Sequence, residues 1–255
     1  MMNGKKVKRN AIEKALFILK AFYPRNSEMG TVELSQRTGL EIPTVNRILK
    51  ILARNRFLHQ NPLTKKFQLG PSVLSLGEAA RESLDNNLLR IAIPHLNELC
   101  EKLGETVVLE ILLGDSGVAA YVAQGRQTIS IRATIGTRLP THAAAGSKAI
   151  LAFSSRQTVT KFLGRKLSRI TEATITDAKE FLLELETIRR EGVAYTREEI
   201  DPGVNAVAVP ILTYDRQPVG AVTVVGPSWR VKCDKDTEVV AELNETVSAI
   251  SAYIR

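Results

Sequence analysis

Between residues 43 and 54, basic and polar side chains recur at helical spacing, and no acidic residue interrupts them. One face of this predicted helix consists of Pro43, Arg47, Lys50 and Arg54. Lysine and arginine bind phosphates, whereas the hydroxyl of Thr44 and the amide of Asn46, at the edges of this face, can read base edges. Arg47 could reach a guanine or a phosphate. The pattern favours contact with DNA, and an ordinary solvated helix face is the alternative.

A second candidate site is the run of small residues from Leu139 to Gly146. The side chains from Ala143 to Gly146 would let the first amides of a following helix approach a guest closely. Uncovered amides at a helix N-terminus bind carboxylates and phosphates. Tight packing of that helix on a sheet would explain the same residues. His142 could hydrogen-bond a ligand or fix the loop, and the sequence leaves both open.

Few residues in the sequence are arranged as a catalytic or metal-binding site would require. Glu198, Glu199 and Asp201 form an acidic cluster, which a solvent-exposed loop explains without acid–base catalysis or a metal. The three histidines show no ligand spacing near this cluster. Cys100 and Cys233 cannot build a zinc cluster, and we expect both thiols to stay reduced in a cytoplasm. We therefore predict no catalytic residue, no metal and no cofactor.

The formal net charge of +8 is distributed unevenly along the 255 residues. Residues 1–75 hold 14 Lys and Arg against 4 Asp and Glu, so they carry +10 and the remaining residues carry −2. Such segregation favours a basic module that meets a polyanion, joined to a module of another kind. No apolar run approaches the roughly 20 residues that span a bilayer, so we expect a soluble, cytoplasmic protein without a membrane partner.

Two helices are predicted ahead of the basic helix. The first starts at Asn10, whose side chain would form a capping box with Glu13, and it ends at Pro24. Its buried stripe is predicted at positions 12, 15, 16, 19 and 22. The second helix is short, is capped by Thr31 and buries apolar residues at positions 32 and 34. These helices would support the basic one.

A turn at Gly39 leads into the basic helix, which begins near Pro43. Its buried stripe is predicted to consist of Val45, Ile48, Leu49 and Leu52. A hairpin follows, with strands at 57–60 and 67–69, and Lys65 and Lys66 at its tip are candidates for phosphate contacts. Helix, helix, turn, helix and hairpin is the order of a winged helix-turn-helix, which would place the third helix in the major groove.

The other two thirds of the chain predict an α+β domain, an antiparallel sheet flanked by helices. Strands are predicted at 106–113, 118–123, 128–133, 204–212 and 218–225. Helices are predicted at 88–103, 145–153, 155–163, 177–191 and 236–254. The chain is thereby divided into a winged helix-turn-helix at 1–70, a linker helix at 71–87 and the second domain at 88–255.

Most of the chain resembles the IclR family of bacterial transcriptional regulators. The family's DNA-binding domain resembles residues 10–52, "NAIEKALFILKAF…TVELSQRTGLEIPTVNRILKIL", and its wing and linker resemble "KKFQLGPSVLSLG" at 65–77. Two signatures of its effector-binding domain resemble "IGTRLPTHAAAGSKAILAF" at 135–153 and "REEIDPGVNAVAVPILTYDRQPVGAVTVVGP" at 197–227. Ala206 and Val225 stand where some relatives carry Cys and Ser, which makes the pocket more apolar.

This resemblance implies a GAF-like effector-binding domain, homodimers or dimers of dimers, and control of a catabolic operon by a small metabolite. It also implies an effector pocket built from the signature stretches. By position, the pocket residues are Ile131, Ala145, Gly146, Asn205, Ala206, Thr223 and Val225, with His142 beside them. Because Ile131, Thr223 and Val225 fall at alternate positions of predicted strands, we expect these three to share a face.

The residues and the resemblance together predict a ligand-responsive regulator. It would bind double-stranded operator DNA as a homo-oligomer and sense a small molecule, expected to be a carboxylate, in its C-terminal domain. One alternative is a constitutive architectural or regulatory DNA-binding protein whose C-terminal domain serves only oligomerisation. An enzyme localised by its basic domain is a weaker alternative, since the sequence offers no acid, base or nucleophile set.

Overall fold

The structure is a computed structural model, and it describes residues 10–23, 27–83 and 88–254. The chain divides into two compact units, Met1–Leu84 and Asp85–Arg255. Each unit has buried apolar clusters of its own. Pro24, the predicted end of the first helix, and residues 84–87 of the predicted linker helix lie outside the described residues.

The first unit is a winged helix-turn-helix, as predicted. Its elements are α1 (Ala11–Lys20), α2 (Thr31–Thr38), α3 (Ile42–Arg54), β1 (Leu58–Gln60), β2 (Phe67–Leu69) and α4 (Pro71–Ser83). The strands β1 and β2 pair antiparallel and form the hairpin. All four residues of the predicted α3 stripe are buried, and they pack with Phe22 and Met29. This packing turns the polar side of α3 outward.

The stripe predicted for α1 is partly wrong. The capping box between Asn10 and Glu13 is present. However, Ile12 is 73% exposed and Leu16 is 51% exposed, whereas Ile18 is fully buried. The helical period is correct, but the row that meets α3 is rotated toward Ile18 and Phe22. Periodicity alone could not choose between two neighbouring apolar rows.

The predicted cap of α2 is also wrong. Gly30 is the N-cap, and Thr31 is the first helical residue. The Thr31 hydroxyl donates to Oδ1 of Asn46 at 3.0 Å, so it joins α2 to α3 and does not cap its own helix. Val32 is exposed, and Leu34 alone of the predicted pair is buried. Gly39 has a φ of +66°, the left-handed conformation that the predicted turn requires.

The second unit is an antiparallel sheet with helices on both faces, which confirms the predicted α+β class. Its strands are β3 (Thr106–Leu113), β4 (Ser116–Ala123), β5 (Arg138–Leu139), β6 (Ala194–Arg197), β7 (Val204–Leu212) and β8 (Pro218–Pro227), in the order β5-β4-β3-β8-β7-β6. Its helices are α5 (Leu88–Leu103), α6 (Ala145–Phe153), α7 (Arg156–Leu163), α8 (Ala178–Glu191) and α9 (Glu238–Ser251).

Alternation along the strands divides the apolar residues between two faces of this sheet. On one face, Val207, Val222 and Val224 pack with residues of α5 and α9. On the other, Ala206, Ala208 and Ala221 pack with residues of α6, α7 and α8. Small alanines on the second face let α6 lie close to the sheet.

The strand predicted at 128–133 does not form. This segment has no ladder partner, and β4 pairs instead with the short β5. Side chains from elsewhere in the unit satisfy every second carbonyl of the segment. Arg230 donates to the carbonyl of Ile129, the Thr106 hydroxyl donates to that of Ile131, and Gln124 donates to that of Ala133. The alternating isoleucines therefore belong to an irregular segment, and Ile129 is 61% exposed. The short edge strand β6 is an element that the sequence did not predict.

Glu199 was predicted to lie in an exposed loop, and this is wrong. Its side chain is buried, and both carboxylate oxygens accept from Nζ of Lys148, at 2.6 and 2.8 Å. Lys148 is fully buried on α6, and Glu184 of α8 lies 3.6 Å from the same ammonium. Burial raises the pKa of Glu199, and the Lys148 charge opposes this shift. A buried ion pair thus fastens α6 to the segment between β6 and β7.

Replacing Lys148 with methionine should lower the free energy of unfolding of the second unit by about 3–5 kcal/mol, because it leaves the Glu199 carboxylate buried without its cation. The double variant Lys148→Met/Glu199→Leu should recover most of the loss, since it removes both charges. Urea unfolding of the full chain measures this. Lys102→Met, which removes the ion pair between the exposed Lys102 and the half-buried Glu242, is the control and should have a much smaller effect. Equal losses in Lys148→Met and Lys102→Met would contradict the account.

Candidate DNA interface and ligand cavity

The residues predicted for DNA contact on α3 share one side of the helix. Asn46, Arg47, Lys50 and Arg54 are exposed, and Thr44 is half-buried at the edge. The buried stripe fixes this orientation, because it faces the core of the first unit. The structure therefore brings the five side chains together on an exposed surface that contains no acidic residue of α3.

Contacts between α2 and α3 hold this surface in place. The Ser35 hydroxyl donates to the carbonyl of Leu40 at 2.6 Å and closes the turn around Gly39. The bond from Thr31 to Asn46 crosses from one helix to the other and orients the Asn46 amide. Sequence reasoning missed this contact because it assigned the Thr31 hydroxyl to a cap. A rigid support of this kind is what a base-reading side chain needs.

The tip of the hairpin is held by a carboxylate that sequence reasoning missed. Asn61 accepts from the amides of Leu63 and Thr64, which forms the tight turn. Glu28, which precedes α2, accepts from Nδ2 of Asn61 at 2.6 Å and from the Thr64 hydroxyl at 3.0 Å. These two hydrogen bonds lower the pKa of Glu28. The exposed Lys65 follows directly, so the tip is fixed while its cations face outward.

The cations of this surface form no ion pairs with the described carboxylates. Within residues 10–23, 27–83 and 88–254, no carboxylate forms an ion pair with the predicted phosphate ligands or with Arg47. These residues are Arg47, Lys50, Arg54, Lys65 and Lys66. Their charges are therefore available to an external polyanion.

In the second unit, a cavity of about 340 Å³ lies between the sheet and the segments before α6. The predicted effector residues that border it are Ile131, Ala145, Asn205, Ala206, Thr223 and Val225. Although Ile131 is not on a strand, its irregular segment forms one wall. Thr223 and Val225 do share a face of β8. The structure thus gathers residues from two distant stretches of sequence around one space.

The side chain of Asn205 belongs to the opposite face of the sheet. Its neighbour Ala206 pairs with Val225 on the cavity side, so alternation turns Asn205 away. Its Nδ2 donates to the carbonyl of Val231, within the cluster that packs against α5 and α9. Asn205 therefore borders the cavity without directing its amide into it.

The N-terminus of α6 is covered by a carboxylate of the chain itself. Oε1 of Glu110 accepts from the Gly146 amide at 3.2 Å and from the Thr223 hydroxyl at 2.7 Å, and Oε2 accepts from the Ser147 hydroxyl at 3.1 Å. Glu110 is 2% exposed and borders the cavity. Burial raises its pKa, and these hydrogen bonds oppose the shift. The amides expected to be open to a guest are thus occupied at Gly146.

Gly146 and His142 do not border the cavity. A Cβ at Gly146 would lie 2.4 Å from Cδ of Glu110, so this position must be glycine for the carboxylate to approach. His142 is buried, and its Nε2 hydrogen-bonds the carbonyl of Ser168 at 2.8 Å, which fixes the loop. Sequence reasoning missed Glu110, although a carboxylate in the middle of the apolar run of β3 was a visible signal.

Two arginines lie at the outer side of the cavity. Arg132 and Arg138 border it and are exposed, and Arg138 donates to the Ser116 hydroxyl at 2.8 Å. No cluster of three His, Cys, Asp or Glu in the described part of the chain could hold a metal ion. Among the helices described, none has the length and apolar character needed to cross a membrane.

Comparisons with known proteins agree with both halves of this architecture. The family model of the IclR helix-turn-helix domain matches residues 11–62. The model of the bacterial transcriptional regulator IclR C-terminal domain matches residues 82–252. Together the two models cover the three helices and the first hairpin strand of the first unit and nearly all of the second unit.

Curated and solved relatives extend over most of the chain. The transcriptional repressor IclR of Escherichia coli (strain K12) is 31% identical over 231 residues, which are 89% of this chain and 84% of that protein. The crystal structure of the Thermotoga maritima IclR has a TM-score of 0.77 and 26% identity, over 95% of this chain and 98% of that one.

An IclR homolog from Microbacterium hydrocarbonoxydans, crystallised with 4-hydroxybenzoate, shares the fold with a TM-score of 0.83 at 21% identity, over 96% of this chain and 99% of that one. The exposed basic face of α3 and the cavity beside α6 therefore lie in domains with known counterparts. The chain belongs to the IclR family of transcriptional regulators, with a helix-turn-helix DNA-binding domain and an effector-binding C-terminal domain.

Proposed function

We propose that this regulator binds double-stranded operator DNA as a homo-oligomer and changes its affinity for DNA when a small organic acid occupies the cavity. The observation that carries the proposal is the acid-free, unpaired cationic face of α3 in the same chain as a cavity with an arginine-bearing rim. A coupling free energy of about 1–3 kcal/mol between the two sites would change DNA affinity about 5- to 150-fold.

On the DNA side, the exposed side chains divide by chemistry. We assign base-edge contacts to Thr44 and Asn46, whose hydroxyl and amide groups can read donor and acceptor patterns. Arg47, which is exposed on the same face, reaches either a guanine or a phosphate. The remaining phosphate contacts are assigned to Lys50, Arg54, Lys65 and Lys66, which supply affinity and its dependence on salt.

On the effector side, the proposed carboxylate binds at the rim. The α6 amide of Gly146 is occupied by Glu110, so it no longer supports the site first expected there. Arg132 and Arg138 are exposed cations that border the same cavity, and a guanidinium pairs well with a carboxylate. The 4-hydroxybenzoate of the Microbacterium homolog is an organic acid as well. The apolar wall of Ile131, Ala206 and Val225 would hold the rest of the molecule.

Substitutions on the exposed face of α3 should weaken operator binding in two distinguishable ways. Lys50→Ala should weaken binding to all duplexes and reduce the salt-dependence slope by about 1, because one phosphate contact is lost. Thr44→Ala should relax the preference for the operator over other sequences, with a loss of about 1–3 kcal/mol at one base pair. Fluorescence anisotropy at several salt concentrations measures both.

The matched control for these variants is Lys161→Ala, which removes an exposed cation of α7 in the other unit. Its affinity and salt slope should equal those of the unsubstituted protein. If Lys50→Ala behaves like Lys161→Ala, α3 is not the DNA-binding surface.

An effector should raise the melting temperature of the full chain, because a ligand at about 100 times its Kd adds about 2.7 kcal/mol of stability. Screening small organic acids by thermal shift should find such a ligand, and the same acid should change DNA affinity in the anisotropy assay. Arg138→Ala should weaken its binding, whereas Lys179→Ala, an exposed cation of α8, should not. A panel without stabilisation or effect on DNA binding would favour the constitutive alternative, a C-terminal domain used only for oligomerisation.

A further inference from the structure

Behind the cavity wall at Glu110, the donors at the start of α6 and on Thr223 have the chemistry of a carboxylate site. The Gly146 amide and the hydroxyls of Ser147 and Thr223 all donate toward one place. An amide at the N-terminus of a helix, aided by the helix dipole, stabilises an anion there. Two hydroxyls add the neutral donors that a buried carboxylate needs. Three converging donors would bind the acidic end of a small molecule.

That place is taken by the side chain of Glu110. Both carboxylate oxygens are used, Oε1 by two donors and Oε2 by one. The carboxylate is so close to the helix that a Cβ at Gly146 would lie 2.5 Å from Oε1. A second carboxylate at the same donors would overlap the first.

The surroundings of Glu110 give it no other partner. Lys148, the buried cation of α6, is bound to Glu199, and no ion pair of Glu110 occurs among the described residues. The residues opposite Glu110 on the neighbouring strands, Ala119 and Ala221, are uncharged. The donors of α6 and β8 therefore hold the carboxylate, and the carboxylate in turn satisfies them.

We propose that Glu110 is a specificity-determining residue, an internal carboxylate that closes the α6 end of the cavity to the acidic group of any ligand. This inference rests on the proposed function for the existence of an effector. An organic acid then enters with its carboxylate at the arginine rim, and the end that reaches Glu110 is apolar or donates a hydrogen bond. The side chain of residue 110 thereby sets the orientation of the bound molecule.

Chemical rescue tests this assignment without knowledge of the effector. Glu110→Ala removes the internal carboxylate and leaves its three donors and a space beside them, so the melting temperature should fall. Acetate at about 100 mM should recover most of that fall by binding to the open donors, and the effect should saturate with concentration. Acetamide, and sodium chloride at the same ionic strength, should not do so. The unsubstituted protein should show no such acetate response.

Two further variants control for general effects. Leu96→Ala destabilises the core on the other face of the sheet and should not respond to acetate. Glu110→Gln fills the space with an amide and should also show no rescue. The inference is overturned if acetate stabilises the unsubstituted protein as much as Glu110→Ala, or if Glu110→Ala responds no more than Leu96→Ala.

If Glu110→Ala folds too poorly for a melting measurement, its refolding yield provides the test. In that case the yield of folded protein is compared after refolding in acetate and in chloride. A higher yield in acetate alone supports the assignment, and equal yields, including no folded protein in either, contradict it. Rescue by acetate without any organic acid that affects DNA binding would show that Glu110 occupies the α6 donors, but it would reject the proposed effector function and, with it, a role of Glu110 in effector specificity.

Discussion

The need to satisfy the buried N-terminus of α6 governs the arrangement of the second unit. The first amides of a helix have no partner within it, and leaving one buried without a hydrogen bond costs about 1–3 kcal/mol. Glu110 supplies the partner from β3, and Thr223 of β8 joins the same carboxylate. Lys148, two residues beyond Gly146, requires a second buried carboxylate and finds it in Glu199. These contacts fix α6 against the sheet and define one wall of the cavity.

The same alternation of strand residues serves both faces of that sheet. Valines such as Val207 and Val224 form a filled core with α5 and α9. Alanines on the other face bring α6 close to the sheet and leave a space bordered by Ala206 and Val225. In the first unit, a single buried stripe on α3 sets the orientation of that helix. Because this apolar face is buried, the cations on the opposite face of α3 point toward solvent.

Local signals in the sequence were sufficient for several local features, although not for the N-cap of α2. The α3 stripe, the positive φ of Gly39 and the capping box at Asn10 each depend on residues a few positions apart, and all three were predicted. The long strands β3 and β7 were also predicted from their apolar runs.

Several other errors arose where distant residues decide the outcome. Isoleucine alternation at 128–133 resembled a strand, but the segment pairs with no strand, and side chains from distant parts of the second unit bind its carbonyls instead. Glu199 and Glu110 lie 51 and 36 residues from the α6 groups that they meet, so no spacing rule connects them. Alternate residues of β7 point to opposite faces of the sheet, and the pairing of β7 with β8 places Ala206 on the cavity side and Asn205 on the other. This pairing could not be predicted from the sequence alone.

We propose that the polar face of α3 reads duplex DNA in a sequence-specific manner. Selection of the full chain against a pool of random duplexes, followed by sequencing of the bound fraction, tests it most directly. We predict enrichment of one motif with two related half-sites, whose centres lie about one helical turn or a multiple of it apart. The motif should disappear when Thr44, Asn46 and Arg47 are replaced together by alanine. A pool that remains unenriched, or a motif that survives this triple substitution, would contradict the account.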